Sequence, residues 1–496
     1  MACVISQSLT KSLTVGKSWM LQTLPDEILC DIINHLPTGI TCILLLRQVS
    51  KRLNAITYDR SIWDHAYRTS SLVRPPGPFA WQTAHMLESN LIQSARLSLN
   101  WPPNNAKPVR SRVINISGGE YKLVLGRWLF TSHGGVRILR YNLESPSAEE
   151  PRTLYECREK DCRLKNMQYV QTLLGERSGD ENHPIGFLLV TVHNAALSLT
   201  TRTLYSVILA DGIFPTLHFV LHTNSLSLMR LDIGPRLLAI FSPSPGLQGS
   251  LFVDIETYQR YKFPESPSDS SQDVYDYTKQ KIVISSSHVL LFRPYQDLLG
   301  AYVQAYAIPP RQGSGSESLA GQSLLSPPLT LQLTHEGTTR ANLSGHCTIL
   351  RDSKVDQITK TVNIVVVVAL DFEVDVAVSI KLNPVIQSIG SIAVESPKNT
   401  ISDQRTLMYS LRMARSLNGS TRSVTYFGGN GIMHVVAMVL DDEDRANSHT
   451  TVNYDMRCFQ ELRLNENSYI VGFDAYRGRL VIRHFYRDAI TIFDFV

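Results

Sequence analysis

Residues 21–67 read LQTLPDEILCDIINHLPTGITCILLLRQVSKRLNAITYDRSIWDHAY, enough apolar residues for three short helices in a stretch too small to bury them all. Ile28, Leu29, Ile32, Ile33 and Leu36 recur at helical intervals, and Pro37 with Gly39 stops the run. Thr23 and Asp26 have capping-box spacing, with Pro25 tolerated in a first turn whose amides lack partners anyway. A second helix is expected to be capped at Thr41, with Leu45, Val49 and Ile56 on an apolar face that Leu44 and Leu46 widen. Arg47, Lys51, Arg52 and Asn54 should point elsewhere. Asp59 is a suitable N-cap for a third helix carrying Ile62, Trp63, Ala66 and Tyr67.

Helices this short are marginal alone, and so small a segment buries too little of its surface to be comfortable by itself. Apolar side chains left exposed here would mark an interaction site.

Leu-Pro-Asp-Glu-Ile-Leu at 24–29, Ile32, Leu36, the leucines at 44–46, Val-Ser-Lys-Arg at 49–52 and Ile-Trp at 62–63 together resemble an F-box. The resemblance implies docking onto a Skp-type adaptor, and through it a cullin scaffold and a RING ubiquitin ligase subunit. Position by position, it makes Leu24, Pro25, Ile28, Leu29, Ile32, Leu36, Leu44, Leu45, Val49 and Trp63 the adaptor-facing residues. Leu53 departs from the pattern, since many members carry an aromatic residue there. The bland alternative is a helical cap whose leucines are private core.

The chain has 496 residues, 19% charged and 43% hydrophobic, which is the composition of a globular protein of two or three units. A net charge of +4 over that length gives no reason to expect nucleic acid or an acidic membrane as partner. The first 20 residues contain Lys11, Lys17 and serines but neither a secretory apolar stretch nor the arginines of a transit peptide, so a disordered tail is expected. The strongest apolar run, Ile364 to Leu370, is too short to span a bilayer. Seven scattered cysteines fit a reducing compartment, so a cytoplasmic or nuclear location is expected.

Beyond Pro75-Pro76-Gly77-Pro78, the spacing of Ala84, Leu87, Leu91, Ala95 and Leu99 predicts a helix that ends at Trp101-Pro102-Pro103 and serves as a connector or packs on the next domain. From about residue 110 to the end the period becomes strand-like, with β-branched runs separated by Gly, Pro, Ser and Asn. Paired strands are expected at 128–132 with 136–141, 187–192 with 204–209, 236–241 with 251–255, 288–292 with 302–308 and 362–370 with 374–380. Others centre on 433–440, and on 469–475 with 480–484 and 490–493.

About seven couplets, in roughly 385 residues at 40 to 55 per four-stranded blade, suggest a β-propeller of seven blades, with six to eight allowed. No Trp-Asp punctuates the couplets. The region is therefore similar in pattern to the divergent WD-like propellers that follow F-boxes in fungal proteins; a pair of β-sandwiches is the main alternative. Ring closure would pair the strand near Val113–Ile116 with the last blade. The expected organisation is a tail at 1–20, an F-box at 21–68, a linker and connector helix at 69–109 and a β-domain at 110–496. Ser, Pro and Gly make surface insertions of 264–273 and 309–328.

Catalytic motifs are missing: the sequence has no Gly-x-Ser-x-Gly elbow, phosphate loop or His-Glu-x-x-His helix. Cys157 and Cys162 have no second pair to complete a zinc site, and Asp441-Asp442-Glu443-Asp444 reads as a solvated turn, so no catalytic residue, metal or cofactor is expected. Two basic stretches, Arg405, Arg412, Arg415 and Arg422, and Arg477, Arg479, Arg483 and Arg487, could receive an acidic or phosphorylated degron. The expectation is a non-catalytic substrate-recognition subunit of a Skp-cullin-F-box ubiquitin ligase. The alternative is an F-box scaffold that binds the adaptor without delivering a target.

Overall fold

The computed structural model describes residues 24–36, 39–70, 72–75, 77–101, 108–116, 118–145, 151–159, 161–172, 184–210, 214–223, 230–241, 251–262, 281–294, 300–309, 323–324, 329–334, 347–352, 362–371, 374–383, 388–395, 412–413, 420–427, 432–441, 451–463, 468–484 and 488–496. From residue 323 to residue 463 the description is of the backbone, apart from Ile364. The chain forms two compact units, one of residues 1–72 and 77–95, the other of residues 73–76 and 96–496. The tail at 1–20 and Thr23 lie outside the described residues.

In the first unit α1 spans Asp26–Asn34 and follows Pro25 directly, with no side-chain cap. Asp26 and Glu27 in the first turn favour the positive end of the helix dipole. The Asp26 carboxylate, expected to serve a capping box, accepts from Arg52 Nε and Nη2 at 3.0 and 2.6 Å. Helix α2 spans Gly39–Val49, so Thr41 lies inside its first turn rather than capping it. The expected second helix is in fact two. Ser50 is extended, and its hydroxyl accepts the Leu53 amide at 3.1 Å, which ends α2 and starts α3, Lys51–Ile56.

Helix α4, Arg60–Thr69, begins as expected at Asp59, whose carboxylate accepts the Ser61 amide at 2.7 Å. Helix α5 spans Ala84–Asn100. The core of the first unit joins Leu29 and Ile33 of α1, Ile43 of α2, Ile56 of α3, Trp63 and Tyr67 of α4, and Leu87 and Leu91 of α5.

The second unit is all β apart from the last turn of α5, and its described residues form several small sheets. Strands β2–β5 (Tyr121–Val124, Trp128–His133, Arg137–Asn142, Arg152–Glu156) make one, and β6–β9 (Cys162–Gln171, Pro184–Asn194, Leu199–Ala210, Phe214–Thr223) the next. A third holds β10–β13 (Arg230–Ile233, Leu237–Phe241, Leu251–Asp254, Arg260–Lys262), and a fourth β14 (Lys281–Ile284), β15 (His288–Pro294), β16 (Gly300–Ala307) and β18 (Leu329–Thr334). A fifth contains β19–β22 (Cys347–Asp352, Val362–Asp371, Val374–Asn383, Ser388–Glu395) and a sixth β23–β26 (Arg412–Met413, Ser420–Phe427, Ile432–Asp441, Thr451–Arg463). In the seventh, β27–β29 (Ser468–Asp474, Arg479–His484, Ala489–Asp494) are completed by β1 (Arg110–Asn115). Each expected couplet falls in a different sheet.

Strands 110–115 and 489–494 pair antiparallel, Val113 opposite Thr491, as the closure argument required. The insertion at 264–273 lies outside the described residues. Of 309–328, Ser323–Leu324 is strand β17, added parallel to β13.

Burial on both faces distinguishes the first three sheets from those of a two-sheet sandwich, in which each sheet has one buried face. In β7, residues 184–190 are all buried. Leu188 and Val190 pack with Trp128 and Phe130 of β3, while the alternating Phe187 and Leu189 pack with Leu238 and Val253 of the third sheet. Leu129, between Trp128 and Phe130, turns to Val481 and Ile492 of the seventh sheet. Leu237 and Phe252 meet Val289 and Leu291 of the fourth. Five sheets thus stack in the order seventh, first, second, third, fourth.

Their first strands also neighbour one another, β27 with β2, β2 with β6, β6 with β10, β10 with β14 and β14 with β19. Edge amides on these strands need acceptors. Glu120 Oε2 takes the Met167 amide at 2.6 Å and Gln168 Oε1 the Leu231 amide at 3.3 Å, each from one sheet to the next.

Candidate functional site

On α1, Ile28 and Ile32 stand four residues apart and are 45% and 42% exposed; on α2, Leu45 and Val49 repeat that spacing at 52% and 69%. Each helix therefore turns an apolar pair to solvent while Leu29, Ile33 and Ile43 enter the core. Pro25 is exposed, Leu36 is half-buried, and Leu24 and Leu44 pack at the margin of the core. Leu29 and Trp63, expected among the adaptor-facing residues, are 3% and 0% exposed and lie in the core of the unit.

A polar frame fixes the helices that carry these pairs. Arg52 Nη2 donates to the Leu24 carbonyl and to Asp26, tying α3 to the start of α1. Arg47, expected on a polar surface, is largely buried. It pairs with Glu88 of α5 through Nη1 at 2.5 Å and Nη2 at 3.0 Å, donates from Nε to Thr57 Oγ1 at 3.1 Å, and lies 4.2 Å from the centroid of the Tyr58 ring. The Glu88 hydrogen bond holds its guanidinium above the ordinary arginine range. Trp63 Nε1 donates to the Thr57 carbonyl at 2.8 Å, so Thr57 joins α2 to α4. No spacing rule marks Arg47 or Glu88; a lone arginine among leucines was the only signal.

The basic stretches behave differently from one another. Arg405 and Arg415 lie outside the described residues, and Arg412 and Arg422 sit on β23 and β24, opposite Val424 and Ala437. In the second stretch, Arg477 pairs with Glu144, Arg479 with Asp494 and the Gly126 carbonyl, and Arg483 with the Gly119 carbonyl at 2.6 Å while lying over the Tyr121 ring. These three make links within the β unit; Arg487 lies outside the described residues.

Cys162 opens strand β6 and is buried, and burial followed by its Glu159 contact pushes its thiol up to about 12. A thiol held protonated in this way is a poor ligand or nucleophile. Asp441 ends β25, and 442–444 lie outside the described residues. Among the described residues no cluster of His, Cys, Asp and Glu is placed to hold a metal ion, and no helix is long and apolar enough to cross a membrane.

Several solved structures have a slight overall likeness to the chain. The AfRom2 CNH domain is 14% identical at a TM-score of 0.29, covering 69% of this chain and 86% of its own. An uncharacterized protein from Listeria monocytogenes EGD-e is 12% identical at 0.33, covering 76% and 93%. A post-proline cleaving enzyme from Rickettsia typhi is 10% identical at 0.28, covering 68% and 41%. Scores at this level carry neither fold detail nor activity to this chain. No curated protein matches it. Residues 21–69 match the F-box-like family, so the helical segment with the two exposed apolar pairs is an F-box-like domain.

Proposed function

We propose that this protein is the substrate-recognition subunit of a Skp-cullin-F-box ubiquitin ligase. The F-box-like domain docks on a Skp-type adaptor, and the β unit presents a protein target. The observation that carries the reading is the pair of exposed apolar couples, Ile28 with Ile32 and Leu45 with Val49, within a segment that matches the F-box-like family. Burying these side chains on an adaptor is worth roughly 1.5–3 kcal/mol each as an upper bound, before the cost of association. The chain supplies no catalytic group in this role; it raises the local concentration of a target lysine near the ubiquitin-charged enzyme. Action in the cytoplasm or nucleus belongs to the same reading.

We read the small sheets as the blades of a seven-bladed, WD-like propeller. Stacking of successive sheets through both faces, the neighbouring first strands and the joining of β1 to β29 support that reading.

The test is affinity purification of the full chain beside an Ile28→Ser, Leu45→Ser variant. Wild type is expected to bring down adaptor and cullin, and the variant to lose both while keeping the wild-type melting temperature. Retention of the adaptor by the folded variant would refute the docking face. A copurifying protein that accumulates when the ligase is inactivated identifies the receptor role, whereas adaptor binding with no such protein favours the scaffold.

A further inference from the structure

Cys157 directly follows β5 and Cys162 opens β6, where the first sheet passes into the second. One hairpin turn anchors both sides of this passage. The Cys157 amide donates to the Val136 carbonyl at 2.8 Å, and the Leu164 amide donates to the adjacent Gly135 carbonyl at 2.5 Å, both in the turn between β3 and β4. Asp161, immediately before Cys162, has a φ of 67°, and its carbonyl accepts the Ala195 amide at 3.1 Å from the turn between β7 and β8. The two cysteine side chains enter one apolar cluster with Trp128, Met167 and Val192, and their sulfurs are hydrogen-bonded to one another.

The two thiols differ in access. Cys157 is half-buried, whereas Cys162 is 5% exposed, so a solute in water meets Cys157 first. The Cys162 thiol donates to Glu159 Oε2 at 3.2 Å, which places a proton acceptor beside the buried sulfur. Toward a solute Cys162 is inert, but the Cys157 sulfur is already in contact with it and needs no encounter. Burial, Glu159 and Cys157 all push the Cys162 thiol up. No thiolate is stabilised there, and a stabilised thiolate is what holds a dithiol in its reduced form.

We propose that Cys157 and Cys162 are a redox-active dithiol, which a low-molecular-weight disulfide such as glutathione disulfide converts into a disulfide bond tying the end of β5 to the start of β6. Cys157, as its thiolate, attacks one sulfur of the small disulfide. That S–S bond breaks, a mixed disulfide forms on Cys157, and the departing thiolate takes up the proton that Cys157 released. Cys162 then passes its proton to Glu159, and its sulfur attacks the Cys157 sulfur. The second small thiolate leaves and takes the proton from Glu159. Two protein thiols have lost two electrons, and the small disulfide has gained them as two thiols. The bond clamps the first sheet to the second when the surroundings become oxidising. This chemistry needs neither adaptor nor target.

The test equilibrates the full chain in mixtures of reduced and oxidised glutathione, quenches with acid, alkylates free thiols and weighs a peptide spanning residues 157–162. With rising oxidised glutathione the wild-type peptide is expected to pass from two alkyl groups to none, with loss of two hydrogens, and to return on reduction. Cys162→Ser should stop at a glutathione adduct on Cys157. Cys157→Ser should leave Cys162 unmodified over the time in which wild type is fully oxidised. Glu159→Gln keeps an oxygen for the thiol to donate to but removes the base, so ring closure should slow about a hundredfold and the mixed disulfide accumulate. Closure at the wild-type rate in that variant would overturn the proton route through Glu159. In wild type, a lasting glutathione adduct on Cys157 beside a free Cys162 would overturn the proposal. So would two thiols that stay reduced at every glutathione ratio, or a Cys162 modified as fast as Cys157. These outcomes come from the wild-type chain, so they decide the matter even if Cys162→Ser fails to fold.

Discussion

In the helical unit one arginine, Arg47, gathers Glu88, Thr57 and the Tyr58 ring around itself, and three helices are referenced to that point. Among the described residues of the β unit the links are distributed instead. The first, second and third sheets each share their two faces with different neighbours, and side chains such as Glu120 and Gln168 satisfy one edge amide at a time. A fold held at one hub should fail at one substitution, whereas a fold held by repeated contacts should tolerate single changes and fail when a closing element is lost.

The largest effect is therefore expected from deletion of residues 489–496. This removes β29, the partner of both β1 and β28, together with Phe495, which is fully buried against Trp101. Far-UV circular dichroism should show loss of the cooperative β transition, and limited proteolysis should degrade the β unit. A cooperative melt retained by the truncated chain would show that the pairing of the first and last strands is dispensable.

The next effect belongs to the hub. Arg47→Ala leaves the Glu88 carboxylate, 11% exposed, without its cation, and about 3–5 kcal/mol of stability should be lost by urea denaturation. An Arg47→Leu, Glu88→Leu double variant should recover most of that loss, because it removes both charges together. If the double variant is as unstable as Arg47→Ala, the hub acts through packing on Tyr58 and Trp63 rather than through charge.

The same contrast governs what could be read in the sequence. The F-box-like segment was legible because Leu-Pro, Val-Ser-Lys-Arg and Trp stand at fixed separations, and the buried faces of α1 and α4 followed from helical spacing. The break at Ser50 was hidden, since Leu45, Val49 and Ile56 keep a helical period across it while Ser50 itself is extended. Leu29 and Trp63 were assigned to a docking face because a motif records which residues recur, not whether they recur for packing or for contact.

In the β unit the central strands were visible as apolar runs such as Phe187–Val192, since both their faces are covered. The outer strand Arg152–Glu156 is polar and gave no such signal. The contact between Cys157 and Cys162 is set by the turn between β3 and β4 that anchors both sides, which the spacing of the two cysteines does not encode.

The smallest of the three effects separates a polar group buried as a charged pair from one buried neutral. Arg47 with Glu88 in the helical unit and Arg236 with Asp254 in the β unit are buried as charged pairs, whereas His288 of the β unit is buried neutral: it is 2% exposed, accepts or donates at Nδ1 with Ser287 Oγ at 2.9 Å, and burial lowers its pKa from 6.5 to about 4. Its folded pKa lies below its unfolded one, so the native state binds fewer protons than the unfolded chain between those values. The contribution is complete above pH 6.5 and is lost as pH falls toward 4, amounting to about 3 kcal/mol at most. In His288→Gln that pH-dependent term is absent. The stability difference between wild type and variant, measured by urea denaturation at successive pH values, should therefore narrow as the solution is acidified. A difference that stays constant from pH 7 to pH 4 would mean that the imidazole titrates alike in the folded and unfolded chains, and so reaches solvent in the fold.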